Sequence, residues 1–169
     1  MKKLFYLVFL IICTIIITGC EPKREILKHS GKYLSINFKV KKGHSYKIST
    51  DRVDFVTSRE KAILIGKKFK IGIEEDDNLS LPAYGGDFSK YMKHYSKENE
   101  FKKVVFSNIH GFQKYYDYYV RYEVFLPVND KYVLKLNIYP DDNTPKMAKK
   151  AFNSEEVQDI LNHISVKEK

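Results

Sequence analysis

Thiols are nearly absent: Cys13 and Cys20 are the two cysteines in the chain, and none follows position 20. Beyond that point no disulfide framework, cysteine–metal cluster or cysteine nucleophile can be built, so the fold must hold by packing alone. Tryptophan is missing as well. The histidines at 29, 44, 94, 110 and 163 are scattered, and no pair has metal-ligand spacing of the HExxH kind. There is no Gly-x-Ser-x-Gly elbow, no Ser-x-x-Lys and no phosphate-cradling glycine loop. Gly85-Gly86 precedes an expected helix but has no lysine in a phosphate-loop register. The acidic runs Glu74-Glu75-Asp76-Asp77 and Asp141-Asp142-Asn143 supply oxygen ligands without an EF-hand pattern, and read better as solvated hairpin tips. No catalytic residue, metal or cofactor is expected.

What is present begins at the N-terminus. Lys2 and Lys3 precede an apolar run from Leu4 to Ile17, which ends in Ile17-Thr18-Gly19-Cys20. The run is short for a permanent membrane span and stops at a processing site, the pattern of an export signal. The ending resembles the lipobox of bacterial lipoproteins. That resemblance implies a diacylglyceryl group on the Cys20 sulfur and cleavage after Gly19. It divides the chain into a signal peptide (1–19), a basic lipid-anchored tether (20–32) and one extracytoplasmic domain (33–169). The expected location is the outer face of the bacterial cytoplasmic membrane.

The formal charge of +9 falls to about +7 once Lys2 and Lys3 leave with the signal. An exported lipoprotein meets anionic head groups and wall polymers before any nucleic acid, so nucleic acid is not an expected partner. Lys23, Arg24, Lys28 and Lys32 lie on the expected tether, where each cation near an anionic surface adds about 1 kcal/mol.

Tyr33–Val40 alternates as a half-buried strand, with His44–Thr50 as its expected hairpin partner. Val53–Thr57 is a weaker strand; Ala62–Ile65, Phe69–Glu74 and Phe101–Ser107 are clearer. Asp87 caps a helix whose apolar stripe is Phe88, Tyr91, Met92 and Tyr95. Phe112–Leu126 reads as one long strand, with Tyr116, Tyr118, Val120, Tyr122, Val124 and Leu126 facing the core. Tyr132, Leu134, Leu136 and Ile138 face inward on the next strand, so paired residues must sum to an even number. A loop of about five residues is favoured, pairing Leu126 with Tyr132 and Glu123 with Lys135. Asn153 caps a last helix with a Val157, Ile160, Leu161 and Ile164 stripe, and Lys167 and Lys169 follow its end.

The expected fold is α+β: a twisted, mainly antiparallel sheet of about seven strands flanked by two principal helices. The order from Phe69 to Ile164 is loosely similar to the PsbP-like family. Phe69-Lys70-Ile71-Gly72-Ile73, Leu126-Pro127 before Tyr132-Val133-Leu134-Lys135-Leu136, and Glu156-Val157 to Ile160-Leu161 carry the likeness. It implies a binding or assembly role and no catalytic residue.

The candidate binding face is the odd-numbered side of the long hairpin: Tyr115, Asp117, Tyr119, Arg121, Glu123 and Phe125, with Lys135 and Tyr139. Flat aromatic area with polar handles is the chemistry of interfaces and sugar platforms. The alternative is that a flanking helix covers this face as a second core layer. The function expected is a non-catalytic binding module for a peptide or protein ligand. One rival is a lantibiotic-type self-immunity lipoprotein that intercepts a membrane-active peptide. Another is a cell-envelope hydrolase, for which no motif speaks.

Overall fold

The computed structural model describes residues 22–75, 87, 88, 90, 93, 101–129 and 131–169. Its strands are β1 (Arg24–Ser30), β2 (Leu34–Lys41), β3 (Lys47–Ser49), β4 (Glu60–Ile65) and β5 (Phe69–Glu74), then β6 (Lys102–Phe106), β7 (Ile109–Tyr116), β8 (Arg121–Pro127) and β9 (Val133–Pro140). Two helices follow, α1 (Pro145–Phe152) and α2 (Glu155–Asn162), and β10 (Ile164–Glu168) ends the chain. Seven strands pair in the order β3-β4-β5-β9-β8-β7-β6, and a second sheet has the order β1-β2-β10. Every pairing is antiparallel. The α+β class and the sheet of about seven strands are those the sequence predicts.

The core lies between the larger sheet and the smaller one. From the larger come Leu64, Ile71, Ile73, Val124, Leu134, Leu136 and Ile138; from the smaller, Leu34, Ile36, Phe38, Val40 and Ile164. The helices add Phe152, Val157, Ile160 and Leu161. Full burial of each such side chain contributes about 1.5–3 kcal/mol. β9 lies in the middle of the larger sheet and is buried at every residue.

Several local expectations are corrected. The tether is largely strand β1, paired with β2 over its whole length from Arg24↔Lys41 to Ser30↔Ser35. Its polar sequence suits an edge strand that turns one side to solvent. β2 therefore takes β1 and β10 as partners, and β3 joins β4 in the other sheet. In place of a strand at Val53–Thr57 there is a 3-10 turn at Arg52–Asp54, where the Asp51 carboxylate accepts from Val53 N–H at 3.2 Å. Ile164 leaves the helix to begin β10, so Lys167 belongs to a strand and does not cap a helix.

The last helix starts one residue later than expected, with Ser154 as its cap, accepting from Val157 N–H at 3.3 Å. Asn153 ends α1, a helix the sequence reading passed over. Its start is legible after the fact: Thr144 caps it and Pro145 sits in the first turn, where a missing N–H costs nothing. At the earlier helix, Phe88, Lys90 and Lys93 are helical, and Lys90 N–H donates to Asp87 at 3.0 Å, as the cap predicts. Tyr91, Met92 and Tyr95 lie outside the described residues.

The largest correction concerns Phe112–Leu126. The chain folds back within it: β7 and β8 form a hairpin whose tip is a 3-10 turn at Asp117–Tyr119, followed by Val120 in the left-handed region at φ 49°. The two halves therefore have opposite parity. Tyr116 pairs with Arg121 on one side of the sheet, and Tyr115 pairs with Tyr122 on the other. Tyr118, expected in the core, is 82% exposed at the tip. Tyr118→Ala should consequently change stability by no more than about 0.5 kcal/mol in a denaturant melt.

Candidate functional site

The side of the larger sheet that faces away from the helices carries polar residues, yet buries them. Neighbouring strands set Gly72 beside Asn137 and Asn137 beside Glu123; the next row sets Glu74, Lys135 and Phe125 side by side. An isolated buried charge is costly, so such groups need partners, and here they have them. Lys135 Nζ lies 3.1 Å from Glu74 Oε2 and 3.2 Å from Glu123 Oε1. Arg121 donates through Nη2 and Nε to Glu123 Oε1 at 2.6 and 3.1 Å, and through Nη1 to the Tyr139 hydroxyl at 3.3 Å. Tyr139 in turn donates to Glu60 Oε1 at 2.6 Å, and Asn137 donates to Glu74 Oε1 at 2.6 Å.

Glu60 closes the network from the loop side. Its Oε2 accepts from the backbone of Val56 at 2.8 Å and of Thr57 at 3.3 Å, tying the loop to the sheet. The carboxyl lies directly over Gly72, where an added Cβ would stand 2.0 Å from Oε1. Only a residue without a side chain leaves this space. Burial first, and then the bond to Glu60, push the Tyr139 phenol well above its ordinary pKa, keeping it a donor. Burial opposes the charge on Arg121, but Tyr139 and Glu123 more than restore it. The guanidinium is also enclosed by rings, 4.8 Å from the centroid of Tyr119 and 5.5 and 5.6 Å from those of Tyr116 and Tyr139.

Above this floor lies a cleft of about 360 Å³. Glu74, Arg121, Glu123 and Lys135 form its base, Tyr116 and Tyr119 one wall, and Thr57, Ser58 and Arg59 another. Tyr119 is half exposed, and Tyr118 meets it edge-on at 4.8 Å. The floor sets two carboxylates against two cations, and Arg59 on the wall adds a third positive charge.

Of the residues expected on an open binding face, the structure brings Arg121, Glu123, Lys135 and Tyr139 together, but as a buried layer. Phe125 is buried too, with Phe101 edge-on to it at 6.1 Å and to Phe112 at 6.2 Å. The cover is thus the loop before β4 together with the stretch that carries Phe101, and Phe88 adds a contact to Phe112 at 5.4 Å. Tyr115 stands on the opposite side against Tyr122, with ring centroids 5.2 Å apart, and Asp117 lies in the hairpin tip. Tyr119 alone of the set both borders the cleft and reaches solvent.

Glu60, Glu74 and Asn137 were missed. Glu74 and Glu75 were read as a solvated turn; both are buried, and Asp76 and Asp77 lie outside the described residues. Nothing in the local sequence marks Glu60. Among the described residues no group of three or more His, Cys, Asp or Glu side chains is placed to hold a metal ion.

A second buried pair joins the two sheets. His29 Nε2 of β1 is 3.7 Å from Glu75 Oε1, and neither atom has a hydrogen-bond partner. Glu75 Oε2 accepts from Tyr33 N–H at 3.1 Å, and Gly31 leaves room for the carboxyl. Burial lowers the His29 pKa from its ordinary value of 6.5, against the pull of Glu75 and with help from Lys169. A depressed folded-state pKa gives stability that is present above pH 6.5 and lost as pH falls through the lower value. The melting temperature should therefore drop on acidification from pH 7.5 to 5, and His29→Gln should flatten that slope. Equal slopes would show that His29 does not sense pH.

Of the expected tether cations, Arg24 and Lys28 lie in β1, with Lys23 just before it and Lys32 in the turn after it. Arg24 makes a two-pronged ion pair with Asp159 of α2, both bonds at 2.8 Å, which holds the Asp159 pKa below its usual value. No protein-family model matches the chain, and no curated protein matches it either.

Proposed function

We propose that the chain is a lipid-anchored extracytoplasmic binding module, held at the outer face of the bacterial cytoplasmic membrane and without catalytic chemistry of its own. The observation that carries the anchor is the sequence Ile17-Thr18-Gly19-Cys20 directly behind an apolar run. The loose likeness to the PsbP-like family between Phe69 and Ile164 points to the same class of role. The binding half rests on the cleft, whose charged, rigidly paired floor and tyrosine wall are the makeup of a recognition site. The floor's ionisable groups hold one another in fixed geometry, which suits recognition better than proton transfer.

One observation favours a sharper second reading, the interception of a membrane-active peptide. Tyr119 is half exposed at the cleft, and Tyr118, 82% exposed, stands edge-on to it, so the two rings offer apolar area there. The apolar side of such a peptide matches that area, although the chain's overall positive charge slows the approach of a cationic one at low salt.

Cys20→Ala tests the anchor. The variant should lose lipid labelling and leave the processed membrane-bound form, accumulating as uncleaved precursor or escaping to the medium. Unchanged labelling and processing would refute the reading. For the cleft, Tyr119→Ala should give up packing at the hairpin tip yet leave the domain folded, while weakening binding of the native partner about thirtyfold or more, the usual loss for an aromatic anchor. Wild-type binding by a folded Tyr119→Ala protein would remove the cleft from the account.

A further inference from the structure

Two of the four cations expected on the tether, Arg24 and Lys28, stand instead on one side of a sheet. Side chains alternate across a strand, and in the β1-β2-β10 sheet one set faces the core. The other set turns outward: Arg24, Ile26 and Lys28 from β1, Asn37, Lys39 and Lys41 from β2, Ser165 and Lys167 from β10. Asn37 Nδ2 donates to Ser165 Oγ across this outer side at 3.4 Å. Lys28, Lys39 and Lys167 are exposed, and Ile26, which pairs with Lys39, is 52% exposed. None of the three strands places a carboxylate on this side. Among the described residues, Asp159 pairs with Arg24 and Glu155 with Lys41, both from α2.

The proposed anchor at Cys20 would hold one end of this face near the membrane. Lys42 N–H donates to Lys23 O at 2.8 Å, so the fold holds the backbone from Lys23 onward. Three residue steps from Cys20 span at most about 11 Å. That is close to the roughly 8 Å over which charges act at physiological salt. So short a leash keeps the Lys23 end of this basic face within reach of the surface that anchors it.

We propose that the outer side of the β1-β2-β10 sheet is a docking surface for the anionic phospholipid head groups of the membrane. Lys28, Lys39 and Lys167 supply the charge, and Ile26 rests at the boundary. The proposal takes its distance from the lipid-anchor reading; its charge pattern is independent of that reading. Each lysine near an anionic bilayer strengthens association by roughly fivefold, and three together by about a hundredfold.

The test uses the full chain purified from membranes, with the mass of its first residue read beforehand. The protein is placed in vesicles of phosphatidylcholine alone or of phosphatidylcholine with an equal part of phosphatidylglycerol, and lysine acetylation rates are followed. Lys28, Lys39 and Lys167 should react at least severalfold more slowly in the anionic vesicles, while Lys102 and Lys103 of β6 keep their rates. High salt should erase the difference. Equal rates in both vesicles would overturn the docking surface even with Cys20 acylated. If Cys20 carries no lipid, the anchor reading fails separately, and vesicle flotation of the same chain decides the docking. A loss of at least about a hundredfold in the Lys28→Glu, Lys39→Glu, Lys167→Glu triple variant would support the surface. Flotation unaffected by the three changes would overturn it.

Discussion

Replacing Lys135 with methionine should lower the unfolding free energy by about 3–5 kcal/mol, the usual cost of removing one partner from a buried ion pair. The ammonium lies between Glu74 and Glu123, and all three side chains are almost wholly shielded from water. Without it, two carboxylates face each other in a low-dielectric layer, and Arg121 is already committed to Glu123 and Tyr139. In a domain of this size the loss corresponds to a melting temperature lower by roughly 6–20 °C. Lys39→Met, on an exposed position of β2, is the control and should change little. Similar midpoints for the two variants would mean that the cluster is hydrated and does not act as a closed network.

A loss of at least about 4 kcal/mol is expected from Ile160→Asp, against a typical total of about 5–15. Ile160 is buried on α2 beside Val157 and Leu161, where these residues meet the inner side of the smaller sheet. An aspartate there would be an unpaired charge in a purely apolar contact. Asn162→Asp, exposed on the last turn of the same helix, should cost under about 1 kcal/mol, through the unfavourable end of the helix dipole. Urea midpoints of the two variants decide which face of α2 is buried, and equal midpoints would reverse the assignment.

The sequence was most readable where burial alternates against a single core. β2 shows this; β5 and β9 are buried on both sides, yet their core residues Ile71, Ile73, Leu134, Leu136 and Ile138 still alternate in sequence, and the parity rule for the β8–β9 hairpin holds: Leu126 pairs with Leu134, an even sum. The register is nevertheless shifted by two residues from the expected Leu126–Tyr132 pairing. The strand runs on through Pro127, which pairs with Val133, and Asn129 Oδ1 accepts from Lys131 and Tyr132 N–H at 2.9 Å each to shape the loop. Side-chain acceptors of this kind fix a turn without leaving a spacing signature.

The fold-back at Asp117–Val120 was not legible, because no glycine or proline marks it and a valine in the left-handed region contradicts local preference. Packing holds it instead. Tyr119 stacks on Tyr116 with ring centroids 5.5 Å apart, and both rings lie against the Arg121 guanidinium. The same error hid the site, since reading one long strand gave Tyr116 and Tyr118 the parity of the core. At the N-terminal side, Leu27 and the buried His29 gave β1 too faint an alternation to stand out from a solvated linker. Its status as a strand depends on β2 beside it, a partner that local sequence does not announce.

Whether Cys20 carries a lipid decides where the protein is held. The most direct measurement is the intact mass and N-terminal peptide of the protein extracted from the membrane fraction of cells producing the full chain. The expected result is a mature chain that begins at Cys20 with a diacylglyceryl group on its sulfur, and with residues 1–19 absent. A membrane-fraction protein with an unmodified Cys20, or with cleavage at another residue, would contradict the central claim.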